Sequence, residues 1–104
     1  PIHSFSRPQD ALKALPNLNV GLIVTDYQMP ELNGLEFLGA VQKLQPEVPA
    51  VMITAYEIEM NSDYARRYPA LKAIVRKPFK WIVLAKEISK HWTGSHPPFP
   101  RSEP

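Results

Sequence analysis

A chain of 104 residues and 11.8 kDa is one small domain, at the low end of the usual range of about 100 to 200 residues per domain. The absence of cysteine excludes disulfides, thiolate metal sites and a cysteine nucleophile. No apolar run reaches the roughly 18 residues that cross a bilayer and no signal-peptide pattern opens the chain, so the expectation is a soluble cytoplasmic protein without a membrane partner. The net charge of +2 is unevenly placed: residues 1–65 hold Arg7, Lys13 and Lys43 against eight Asp/Glu, and residues 66–104 hold nine Lys/Arg against Glu87 and Glu103, a balance of −5 followed by +7. The lysines are dispersed and no aromatic-basic motif accompanies them, which reads as solvated helix faces rather than a nucleic-acid site.

In chain order, "DALKAL" (10–15) predicts a short helix opened by "RPQD", with Asp10 in its first turn. "VGLIVTD" (20–26) is a continuous apolar run, the pattern of a strand buried on both faces. In "GLEFLGAVQKL" (34–44), Phe37, Leu38, Val41 and Leu44 form the stripe of an amphipathic helix, stopped by "QPEVP". "AVMITA" (50–55) predicts a second buried strand. A weaker, polar helix follows around 58–67, with Met60, Tyr64 and Tyr68 on one side. "AIVRK" (73–77) is the third strand. "FKWIVLAKEISKHW" (79–92) is the strongest helix, with Trp81, Leu84, Ala85, Ile88 and Trp92 on its core face and the two tryptophans as anchors. From Thr93 the chain is rich in proline and polar residues, so residues 1–92 are expected to form the domain and 93–104 a tail or linker.

Alternating strands and helices imply a doubly wound parallel sheet with right-handed crossovers and helices on both faces. In such sheets the chemistry sits at the carboxyl ends of the strands, where Asp26, Thr54 and Lys77 fall. A carboxylate, a hydroxyl and an ammonium at one edge suit a phosphoryl group: the carboxylate as nucleophile, the lysine and a divalent cation neutralising the oxygens, the hydroxyl bonding one of them. His3, His91 and His96 are scattered and are read as neither ligands nor phosphohistidines.

"TDYQMPELNG", "MITAY" and "RKPF", in this order and at these separations, resemble the receiver domain of bacterial two-component response regulators. The resemblance implies a flavodoxin-like, receiver-type α/β fold and no enzymatic activity of its own. It makes Asp26 the phosphoacceptor, Thr54 the switch hydroxyl and Lys77 the phosphoryl-contacting lysine. Met29, Pro30 and Gly34 match the family's turn, and Pro78 matches a proline whose bond to the lysine is commonly cis. The match starts at about Ile2, with Ile2–Ser6 aligned to the family's second strand, so strand 1, its acidic pair and helix 1 are absent from these residues. A Mg2+ ion takes about six oxygens, and of the family's protein ligands only Asp26 and the Gln28 backbone carbonyl remain, an incomplete site. Ile74 stands where the family often has a rotating Tyr or Phe. The resemblance therefore implies one of two functions: a phosphoacceptor receiver served by a histidine kinase, or a module impaired in Mg2+-dependent phosphorylation. The impaired module would bind a partner such as another response regulator or a second copy, as a homodimer through the missing-strand region.

Overall fold

The computed structural model describes residues 7–28, 33–55 and 60–94. Three parallel strands, β1 (Ile23–Asp26), β2 (Ala50–Thr54) and β3 (Leu71–Arg76), lie in the order β1-β2-β3. Helix α1 (Pro8–Ala14) runs into a 3-10 turn over Leu15–Asn17, and α2 (Gly34–Leu44), α3 (Ser62–Arg67) and α4 (Trp81–His91) follow the three strands in turn. No helix among the described residues is long and apolar enough to cross a membrane.

Local chemistry sets these elements. Pro8 opens α1, where its missing N–H costs nothing, and Asp10 lies in the first turn. The Asn33 side chain caps α2 by accepting from the Glu36 amide at 2.9 Å, while the Asn33 amide donates back to the Glu36 carboxylate at 3.2 Å. That reciprocal box satisfies two donors a helix start leaves open, and its Asn-x-x-Glu signature stands in the sequence unused by the reading above. Asn61 caps α3 from one side only, its side chain accepting from the Tyr64 amide.

The core lies on both faces of β2. On one face Leu38, Ala50, Met52 and Leu71 are buried with Ile23, Tyr27, Tyr64, Tyr68 and Ile74 packed against them, so α2 and α3 cover this side. On the other, Val51 and Val75 pack on Leu84 and Ile88 of α4. Leu15 joins Phe37 and Val41 in a third cluster that seats α1 on α2. In the β2–β3 register Ala50 pairs with Leu71 and Val51 with Ala73, leaving exposed Lys72 as the extra residue of a bulge.

Four sequence expectations need correction. Trp81 is no core anchor: it is 61% exposed, because α4 meets the sheet through Leu84 and Ile88, one turn and two turns further on. Leu44 is 49% exposed at the end of α2, where the helix has run past the sheet, and Met60 also faces outward. The run at 20–26 is not buried on both faces. Only Ile23–Asp26 is strand, and Val24 is 41% exposed, because on its face of the sheet α4 packs over Val51 and Val75 of β2 and β3 rather than over β1.

Candidate functional site

Parallel pairing brings three strand ends to one edge. Asp26 pairs with Ile53, and Thr54, one residue on, pairs with Arg76. The Tyr27 amide donates to the Ile53 carbonyl at 2.8 Å, and the Lys77 amide donates to the Thr54 carbonyl at 2.7 Å. Asp26, Thr54 and Lys77 are thus held in step by backbone bonds just at the edge.

Their side chains differ in setting. The Lys77 ammonium lies 3.0 Å from Asp26 Oδ1, both groups half-exposed. At that distance the pair is a charge-assisted hydrogen bond, though water at the edge screens it. Thr54 is buried, on the side of the sheet that carries Ala50 and Met52, as its position two residues from Met52 requires. The Lys77–Pro78 peptide bond is cis. Gln28 is exposed; Met29 and Pro30 lie outside the described residues, as do His3 and His96. His91 stands 3.5 Å from Glu87 on α4, away from the edge.

Gly34 is where the turn after Asp26 closes. Its amide donates to the Tyr27 carbonyl at 2.6 Å, and a methyl there would stand 2.6 Å from the Asp26 carbonyl oxygen and 3.0 Å from Met52 Cε. Only a residue without Cβ lets α2 start so close beneath the aspartate. The Tyr27 carbonyl and the Asn33 cap, which the sequence reading passed over, hold this closure. The signal for both was the short interval between a strand-end Asp and an Asn-Gly pair.

A Mg2+ ion would need about six oxygen donors at this edge. Among the described residues no three His, Asp or Glu side chains stand together, and the Asp26 carboxylate already faces an ammonium. These residues do not fit a six-oxygen divalent ion.

A three-stranded parallel sheet flanked by helices, with Asp26, Thr54 and Lys77 at the carboxyl ends of its strands, is a flavodoxin-like α/β domain. The model of the response regulator receiver domain matches residues 1–89. Response regulator protein FleR of Pseudomonas aeruginosa is 31% identical over 98 residues, 91% of this chain and 20% of FleR. Transcriptional regulatory protein FixJ of Rhizobium meliloti is 29% identical over 79 residues, 72% of this chain and 36% of FixJ. The response regulator TrrA of Thermotoga maritima, solved with Mg2+ and BeF, superimposes with a TM-score of 0.68 at 27% identity, covering 86% of this chain and 75% of that one. This chain belongs to the response regulator receiver domain family of two-component signalling. It spans 20% of the length of FleR and 36% of that of FixJ.

Proposed function

We propose that these residues act as a receiver module of a two-component phosphorelay that works chiefly through protein contacts and accepts phosphate poorly. Asp26 is the phosphoacceptor position, Thr54 the switch hydroxyl and Lys77 the phosphoryl-contacting ammonium. The module extends past the residue-92 boundary expected from the sequence to Gly94, because Thr93 donates to the Gly21 carbonyl, and the proline-rich residues after it are read as a linker-like segment. The carrying observation is the edge itself: Asp26 faces Lys77 at 3.0 Å, and no group of three or more His, Asp or Glu side chains that could hold a metal ion forms among the described residues. With the donors found among the described residues a divalent cation would have too few oxygens to stay, and charge on a transferring phosphoryl group would be met chiefly by Lys77. Incubation with magnesium and a small phosphodonor should leave the protein mass almost unchanged. Stoichiometric aspartyl phosphate at Asp26, lost in Asp26→Asn, would overturn this reading.

A second reading has its own support. The ammonium and hydroxyl are retained at the edge with the aspartate, the arrangement a phosphoacceptor receiver served by a histidine kinase would use. The same labelling experiment separates the two.

The partners proposed are a histidine kinase or another response regulator, and a second copy of the chain. The homodimer is supported by the outer side of β1, where Val24 is 41% exposed and no described element pairs; bare strand edges recruit partners. Light scattering at micromolar concentration should return about twice 11.8 kDa. A cooperatively melting monomer would remove the dimer from the proposal.

A further inference from the structure

Opposite the phosphoacceptor edge, the end of α4 returns to the start of β1. Thr93 donates twice to the Gly21 carbonyl, from its hydroxyl at 2.7 Å and from its amide at 3.2 Å. The Trp92 ring lies between two glycines: a methyl on Gly21 would meet Trp92 Cη2 at 2.7 Å and the Gly94 amide nitrogen at 2.8 Å, and a methyl on Gly94 would collide with the same indole. Neither glycine has a positive φ, so backbone freedom does not explain them. Close approach to the ring does. Trp92 and Thr93 are 71 and 72 residues from Gly21 along the chain, so this is a long-range tie, unlike a helix cap made by neighbours.

We infer that Gly21, Trp92, Thr93 and Gly94 form a clasp that fixes the end of α4 to the strand that carries Asp26. Without the clasp, α4 would be held only by Leu84 and Ile88 near its middle, and its last turn would fray as helix ends do. With it, residue 94 is held at a set position beside Gly21, and β1 has a tether at one end and the aspartate at the other. Ile74, which packs inward on the α2 and α3 side, has no part in this tie.

The test uses the full chain with Trp81→Phe, which leaves Trp92 as its single tryptophan; Trp81 is largely exposed, so its loss should be tolerated. Iodide quenching of Trp92 and hydrogen exchange of the residue-93 amide are the two readouts. In this background Gly21→Ala and Gly94→Ala should expose the indole to iodide and release the amide. Thr93→Val, which keeps the amide but removes the hydroxyl bond, should speed its exchange about fivefold. Gly39→Ala, whose methyl meets nothing within 4 Å, is the control and should change neither. The clasp is refuted if folded Gly21→Ala and Gly94→Ala proteins keep parental quenching and exchange. If neither glycine variant folds, parental quenching and exchange in Thr93→Val refute it as well.

Discussion

β1 and β2 read alike in the sequence, each as a run of apolar residues ending in a polar one, yet the structure treats them differently. In β2, Ala50, Val51, Met52 and Thr54 are all buried, because β1 and β3 pair on either side and α2, α3 and α4 cover the two faces. In β1 only Thr25 is buried, Ile23 is partly covered, and Val24 and Asp26 face out. An apolar run states what a strand can bury; its neighbours decide what it does bury. The exposed strand is also the one that ends in Asp26, the proposed phosphoacceptor. A strand covered on both sides would have to keep that group out of water, at a cost of several kcal/mol for an ionised side chain.

The comparison breaks most readily at Met52. Met52→Ala empties a fully buried position of β2 and should lower the unfolding free energy by about 2 to 5 kcal/mol. Urea denaturation showing a loss below about 1 kcal/mol, less than the core truncations of that range, would mean that β2 is not the centre of the core. Gly34→Ala crowds the carboxyl end of β1, with its methyl 2.6 Å from the Asp26 carbonyl, and should cost about 1 to 3 kcal/mol. A neutral result there, read by the thermal midpoint, would show that the turn after Asp26 relaxes easily.

Smaller effects sharpen the contrast. Asn33→Ala removes the cap of the helix that covers the inner face of both strands, an expected loss of about 1 kcal/mol in chemical denaturation. Val24→Thr, at the exposed position of β1, should stay within about 0.5 kcal/mol in dilute monomer. A larger loss that grows with protein concentration would place a partner over β1. The Asp26–Lys77 pair is half-exposed and should contribute least, a few tenths of a kcal/mol after screening by water. A double-mutant cycle with Asp26→Asn and Lys77→Met measures it, and a coupling above about 1 kcal/mol would mean an edge more shielded than it looks.

The parts of this protein that its sequence determined are those governed by chemistry within a few residues. The period of "GLEFLGAVQKL" predicts α2 at Gly34–Leu44 with both ends correct, and the apolar run at 50–55 predicts β2 to within one residue. The rule that α/β sheets work at their carboxyl edge placed Asp26, Thr54 and Lys77 together before any coordinates, because parallel strands all end on the same side. Tertiary structure decided what depends on partners distant in the chain. Trp81 and Leu44 sit on helical stripes that periodicity assigns to the core, but a stripe is buried only where the helix lies over the sheet, and both fall at the helix ends. The meeting of Lys77 with Asp26 across 51 positions, and of Trp92 with Gly21 across 71, has no local signal, since each is set by the crossovers that fold the chain back on itself. In the sequence Gly21 falls in a predicted strand and Gly34 at a motif turn that opens a helix; only the indole above one and the carbonyl above the other show why a side chain has no room there.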